Sequence, residues 1–342
     1  MFVTAIGMAC PVGLSAASAC AAQRAGISAM EELPWFDNDR EPIIGAMVPG
    51  LDWRLPRVDR LLGMLLLAID DLLESHGQAP WDQIPLFVCV AEPDRPGGGG
   101  RGELAQALVD ALLDRRGIRF HAGLSRVLPC GHTGGFRALR EVRQLLARSD
   151  APACMVCGVD SFLQAPTLGW LDRHHRLKTP ANRDGVMPGE AAAVVLLEPR
   201  ATPGAVVEVS GLGFATEDAS ILSEKPLLGH GLTQAARSAL AEARLGLHEV
   251  DLRLSDVTGE LYGFKELPLM EGRLMRVVRK QAQPLWHWAE TIGDSGAAAG
   301  VAQLVLADQA FRKDYAPGPH ALALCASPDG DRAAAVLRQT RA

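Results

Sequence analysis

Two stretches of this chain, Gly131-His132-Thr133-Gly134-Gly135-Phe136-Arg137-Ala138-Leu139 and Gly293-Asp294-Ser295-Gly296-Ala297-Ala298-Ala299-Gly300-Val301, follow one pattern. Each is a turn of small residues that opens straight into a helix. Glycine lets the backbone bend tightly there, so a turn of this kind brings N–H groups and one side chain to the mouth of a buried site. Its occurrence twice predicts two similar half-domains facing one another across a shared pocket. The side chains presented are His132 in the first turn and Asp294 in the second.

The rest of the chain agrees with two fused α/β halves. A length of 342 residues exceeds what one core usually supports. Strand-like apolar runs alternate with helical patterns, which predicts largely parallel sheets covered by helices on both sides. Phe2–Met8, Pro85–Val90, Ser125–Leu128, Cys154–Val159 and Ala191–Leu197 read as strands, as do Val206–Val209 and Leu252–Asp256. Helices are expected at Ser15–Arg24, Val58–Ser75, Glu103–Asp114 and Thr233–Ala243, and after each turn, the second running to Phe311. A final hairpin pairs Ala321–Cys325 with Ala333–Leu337. The seam falls near Pro199–Pro203, which gives halves at 1–200 and 204–342. Glu31–Leu55 reads as irregular surface covering. The glycine-rich stretch Pro93–Gly102 reads as a flexible surface loop, because it lacks the Gly-Lys-Ser/Thr ending of a phosphate loop.

Composition narrows the function. A net charge of −6 argues against nucleic acid, which rewards basic stripes. No apolar run reaches the length of a membrane span, and the N-terminus lacks the cationic start of a signal peptide, so a cytoplasmic chain without membrane insertion is expected. Seven scattered cysteines fit a reducing compartment. Cys154 and Cys157 have redox or metal-pair spacing, but with no second pair and a strand-like setting they read as buried thiols.

The order of these elements resembles a β-ketoacyl synthase of the thiolase fold over nearly the whole chain. Phe2 to Gly13 resembles that family's opening strand and Gly-x-Gly-x-x-x-Pro-x-Gly turn, and Cys157-Gly158-Val159-Asp160 its Gly-Gly strand end. Arg183-Asp184-Gly185-Val186-Met187-Pro188-Gly189-Glu190, with the apolar run that follows, is similar to its Arg-Asp-Gly-x-x-x-Gly-Glu stretch. Gly293 to Gly300 is similar to its Gly-His-x-x-Gly-Ala-Ala-Gly turn. The resemblance implies two similar α/β halves whose sheets sandwich buried helices. It also implies a dimer built on the strand near the first catalytic helix, which places Ala153–Val159 at a two-fold interface.

Active members of that family use a cysteine nucleophile, two histidines and a lysine. Carried over position by position, the nucleophile falls at His132, the first histidine at Asp256, the lysine at Ala289 and the second histidine at Asp294. Ser327-Pro328-Asp329-Gly330 stands where the family has its glycine- and phenylalanine-rich gating loop. Acyl-imidazoles hydrolyse readily, and aspartates repel the negative charge that develops at oxyanion and carbanion sites. No catalytic residue, cofactor or metal is therefore expected.

Two readings keep chemistry at the site. In one, a slipped turn presents Cys130 as the nucleophile with His132 as its activator, against a buried strand-end thiol. In the other, His132, Asp256 and Asp294 form a hydrolytic or metal-binding cluster, against a polar pocket in which a protonated imidazole pairs with the carboxylates. His174 and His175, flanked by Arg173 and Arg176, read as an exposed charged loop, and Glu266–Arg279 as a solvated helix face. Trp286 and Trp288 line an old substrate channel, form a partner surface or pack in the core, and Trp35 and Trp53 are candidate contact residues. Within the family, Ser15 to Ala22 and Glu41-Pro42-Ile43-Ile44-Gly45 resemble short ketosynthase-like proteins associated with bacterial type VI secretion. That resemblance implies an inactive scaffold, an accessory factor or co-chaperone whose partner is a secretion effector or its chaperone. The alternatives are a divergent acyltransferase working through Cys130 and a chain-length-factor-like partner of an active ketosynthase.

Overall fold

The computed structural model describes residues 1–76 and 79–340. The first part of the chain contributes β1 (Phe2–Ala9), α1 (Ala16–Arg24), β2 (Glu31–Phe36), β3 (Pro42–Gly45), α2 (Arg57–His76), β4 (Leu86–Cys89), α3 (Arg101–Arg116), β5 (Arg126–Leu128), α4 (Gly134–Arg148), β6 (Cys154–Ser161), α5 (Ala165–Arg173) and β7 (Glu190–Glu198). The second contributes β8 (Val207–Thr216), α6 (His230–Ala243), β9 (Leu252–Ser255), α7 (Leu261–Leu274), β10 (Leu285–His287), α8 (Ala289–Ile292), α9 (Ala299–Arg312), β11 (His320–Ala326) and β12 (Asp331–Gln339).

Ten strands form one sheet in the order β10-β9-β11-β12-β8-β1-β7-β6-β4-β5. From its middle outward the sheet reads β1-β7-β6-β4-β5 in one direction and β8-β12-β11-β9-β10 in the other, the same strand order twice. Pairing sense repeats as well: the two inner pairs of each set are antiparallel and the two outer pairs parallel. Parallel pairing, expected to dominate, is thus confined to the flanks of a mixed sheet, and a short antiparallel contact between β1 and β8 joins the sets.

The layering follows from strand alternation. One face of each set packs on α1, α4 and α9, the shared central layer, through Val156 of β6, Val195 of β7 and Ala335 of β12. The other face of the first set carries α2 and α3 on Met155, Cys157 and Val194, and that of the second carries α6 and α7 on Leu322 and Val336. Both faces are covered, so the strands read as unbroken apolar runs. Cys154 and Cys157 point to opposite faces of β6, which rules out a disulfide or a shared metal between them.

Glycine allows each covering helix to lie directly on its strand. A Cβ on Gly7 of β1 would sit 2.0 Å from the Ala68 carbonyl oxygen of α2, and one on Gly213 of β8 only 1.9 Å from that of Ala235 of α6. Gly213→Ala must push α6 off the sheet and is expected to lower stability by about 1–3 kcal/mol in urea unfolding. A loss below half a kilocalorie per mole would mean that the helix moves freely.

Three expectations change here. Glu31–Leu55 contains the antiparallel pair β2–β3, and Leu33 and Ile43 are buried with Phe162 and Leu171 in a small core of their own. Ala153–Val159 is no interface strand: β6 is hydrogen-bonded on both edges, to β4 and β7, and buried throughout. The open edges of the sheet are β5 and β10 instead. Pro93–Gly102 is tethered rather than free, since the Arg95 side chain is 7% exposed and ion-paired with Asp160.

Candidate functional site

The two turns end in single 3-10 turns, Gly131–Thr133 ahead of α4 and Gly296–Ala298 ahead of α9. Their backbones match residue for residue. Gly131 has φ 51° and Gly296 φ 49°, while the preceding residues, Cys130 and Ser295, have φ −120° and −101°. Gly131 therefore corresponds to Gly296, three residues beyond the Gly293 that the sequence pattern aligns with it. His132 is then the counterpart of Ala297, and Gly135 the counterpart of Gly300. Those two glycines meet at the crossing of α4 and α9, where a Cβ on Gly300 would lie 3.5 Å from the Gly135 Cα. The left-handed turn also makes room for a carboxylate at each site: a Cβ on Gly131 would strike Glu92 and one on Gly296 would strike Asp160.

Because Asp294 precedes its turn by two residues, it reaches across to the tip of the other. His132 Nε2 lies 2.8 Å from Asp294 Oδ1, which also accepts the Gly296 N–H at 2.9 Å. On the far side of the ring, Nδ1 is 3.6 Å from Glu92 Oε1. Both the imidazole and Asp294 are buried. Burial works against the imidazolium, but Asp294 and Glu92 outweigh it and hold the His132 pKa well above its ordinary 6.5. Burial likewise opposes ionisation of the carboxylates, and the imidazolium reverses this, lowering Asp294 and, together with Arg95, taking Glu92 down to about 2. The central group is a carboxylate–imidazolium–carboxylate triad. Its imidazolium has no lone pair for a metal or an acyl group.

Asp256 stands at the end of β9 near this triad and accepts the Ala326 N–H at 2.8 Å. It has no cation of its own, so burial pushes its carboxyl up to about 6 against the pull of His132. Ala289 opens α8 beside a recess of about 10 Å³ with Trp288 and Asp294. The cavity that His132, Asp256 and Asp294 share with Arg176, Arg332 and Leu324 is about 60 Å³, room for a few waters and far below the roughly 300 Å³ at which ligand pockets begin. Ser327 donates to the Cys130 carbonyl at 3.4 Å and accepts the Thr133 N–H at 3.4 Å, tying its segment to the first turn. Cys130 itself is half-buried and does not line the cavity; burial raises its thiol pKa against the pull of Arg137. Among the described residues His132 makes no hydrogen bond to that sulfur.

Several charged residues of the site were invisible to sequence reasoning. Arg176 is 7% exposed rather than part of an exposed loop, and pairs with Glu260 through Nε and Nη2, both at 2.8 Å. Glu266 is 1% exposed rather than solvated and holds Arg332 Nε at 2.8 Å, while Arg332 Nη2 reaches the Tyr262 hydroxyl at 2.8 Å. Glu92 and Arg95 follow β4 as ordinary loop charges. The one available signal was the four-glycine run behind them, which marks close packing as readily as flexibility. Of the tryptophans, Trp288 is core, donating Nε1–H to the Ala302 carbonyl, and Trp286 stacks on Tyr315. Trp35 and Trp53 pack edge to face near the surface.

Among the described residues no helix is long and apolar enough to cross a membrane. Neither a protein-family model nor a curated protein sequence matches the chain. Solved structures do. A ketosynthase domain for oxazolomycin from Streptomyces albus JA3453 superposes with a TM-score of 0.80 at 16% identity, over 99% of this chain and 75% of that one. The ishigamide ketosynthase/chain length factor gives 0.74 at 21% identity, over 99% of both chains. A ketosynthase in complex with its chain length factor from Xenorhabdus doucetiae gives 0.72 at 15% identity, over 99% of this chain and 98% of that one. Together with the strand order repeated on both sides of β1 and β8, these likenesses establish that the chain has the thiolase-like fold of the ketosynthases.

Proposed function

We propose that this chain is a catalytically silent protein of ketosynthase fold, with halves 1–200 and 204–342, that serves as a binding scaffold. The observation that carries the reading is the His132 imidazolium clamped between Asp294 and Glu92. It stands at the tip where condensation chemistry needs a nucleophile, in a cavity of about 60 Å³ without a thiol. In this reading His132, Asp256, Ala289 and Asp294 are vestigial positions, and no cofactor takes part. A cytoplasmic accessory factor or co-chaperone for loading type VI secretion effectors is the specific role we assign, on the resemblance of residues 15–22 and 41–45. A homodimer belongs to the same proposal, with β5 or β10 as the pairing edge. A second reading, a chain-length-factor-like partner of an active ketosynthase, is favoured by similarity to structures of ketosynthases with chain length factors.

Incubation with acyl-CoA and acyl-carrier-protein thioesters, followed by intact mass measurement, is expected to leave the mass unchanged. A stable acyl adduct at Cys130 or His132 would overturn the scaffold reading in favour of an acyltransferase. Affinity capture from producing cells separates the two binding readings: an effector or its chaperone supports the first, an active ketosynthase the second.

A further inference from the structure

Arg176 also lines a second cavity, about 270 Å³ in volume, that the triad borders through Glu92 alone. Its walls are largely apolar, from Phe162, Trp170, Leu222 and Pro328, and two guanidinium groups lie against its aromatic rings. Arg95 sits 4.3 Å from the Phe162 ring centre and Arg176 5.4 Å from that of Trp170. The two arginine side chains are 7% and 8% exposed. Each guanidinium charge is already matched, Arg95 by Asp160 and Arg176 by Glu260. Yet Nη1 of each, buried, has no hydrogen-bond partner among the described residues. A buried polar atom without a partner is costly, so these two donors, with both unpartnered carboxylate oxygens of Glu92 on the same wall, mark a place for a group that accepts and donates, as a peptide backbone does.

The charges say which acceptor. Glu92, Asp94 and Asp329 line the same cavity, the last two exposed. A carboxylate or phosphate would meet their repulsion without a free cation to offset it. A neutral carbonyl meets no such penalty, and an extended polypeptide offers a carbonyl about every 3.3 Å. The volume suits one or two side chains rather than a drug-sized molecule. Leu222, 50% exposed, carries the apolar lining out to the surface.

We propose that this cavity is the socket for the protein partner: it takes an apolar side chain from an extended, basic-flanked segment, whose backbone carbonyls accept hydrogen bonds from Nη1 of Arg95 and of Arg176. The proposal rests on the scaffold reading and names the chemistry of its partner. Basic flanks complement Asp94 and Asp329, and the aromatic walls pack the inserted side chain.

The test is a titration of the full chain, followed by NMR of the arginine side-chain N–H signals. N-acetyl-leucyl-lysine amide is the probe, with N-acetyl-leucyl-glutamate amide, N-acetyl-leucine and S-octanoyl-pantetheine as comparators. Saturable shifts with the lysine probe are expected, with binding about tenfold weaker for the glutamate probe. Leu222→Asp, an exposed change that leaves the core intact, is expected to weaken the lysine probe about tenfold and to abolish capture of the partner from cells. No saturable shift up to tens of millimolar overturns the proposal, as does tighter binding of N-acetyl-leucine or of the thioester. If Leu222→Asp captures the same partner as the native chain, the socket is wrong while the scaffold stands. An acyl adduct in the mass experiment removes the scaffold whatever the titration shows.

Discussion

His132→Ala is expected to destabilise the folded chain by about 3–5 kcal/mol in urea unfolding near pH 6, the range found when one member of a buried ion pair is removed. The change leaves Asp294 and Glu92 facing one another in a buried pocket with Arg95 as their remaining cation, and Asp256 loses the larger of the two charges that pull its pKa down. This is a large share of the 5–15 kcal/mol that holds a typical domain together. Asp294→Asn, which keeps the shape and can still accept a hydrogen bond, is expected to cost less. The double variant is expected to cost less than the sum of the two, because the residues act as a pair.

The pH dependence separates this account from simple loss of packing. A raised histidine pKa contributes stability that is fully present below the unfolded value of 6.5 and fades only as pH rises through the higher folded value. The depressed Glu92 works in the other direction: its contribution is present above 4.5 and lost as pH falls toward about 2. The advantage of the native chain over His132→Ala is therefore expected to peak between about pH 5 and 7 and to shrink on both sides. A deficit of under one kilocalorie per mole, or one that does not vary with pH, would show that the triad is not an ionic cluster.

What the sequence disclosed and what it hid divide along one physical line. Strands such as Ala191–Leu197 were legible because burial on both faces leaves an unbroken apolar run, and the final hairpin falls in the expected register, with Ala321 opposite Leu337. The presence of His132 and Asp294 at the turns was legible from the glycines around them. A protonated imidazole paired with the carboxylates was one of the readings offered, but the alignment of the turns was off by three residues, because Gly293 and Gly296 both satisfy the pattern and both have positive φ; the 3-10 turn that starts at Gly131 and at Gly296 sets the true correspondence. Arg95, Arg176 and Glu266 were read as exposed because a local charge pattern records the charge and not its partner. Their partners, Asp160, Glu260 and Arg332, lie 65, 84 and 66 residues away. Pairing over such distances is fixed by topology, which a single sequence does not carry. The placing of Ala153–Val159 at a dimer interface came from the resemblance alone, and the strand order instead puts β6 between two hydrogen-bonded neighbours.

Asp256→Asn is expected to do the opposite of His132→Ala and stabilise the chain, but only at neutral and alkaline pH. The carboxyl is pushed up to about 6 from 3.8 by burial, which means that the fold favours its protonated form. The sign follows from proton counting: between about pH 4 and 6 the folded state holds a proton that the unfolded state has released, so stability falls as pH rises through this window. At pH 8 the ionised carboxylate carries a penalty of about 1–3 kcal/mol, reduced because the residue is not fully enclosed. Asparagine keeps the acceptor for the Ala326 N–H and removes the charge, so the gain is expected at pH 8 and absent at pH 4. Equal stability of the two proteins at pH 8 would mean that His132 already neutralises Asp256 and that the cluster holds three matched carboxylates. A gain confined to high pH would mean instead that the fold retains an unmatched acid at this position at a cost to its own stability.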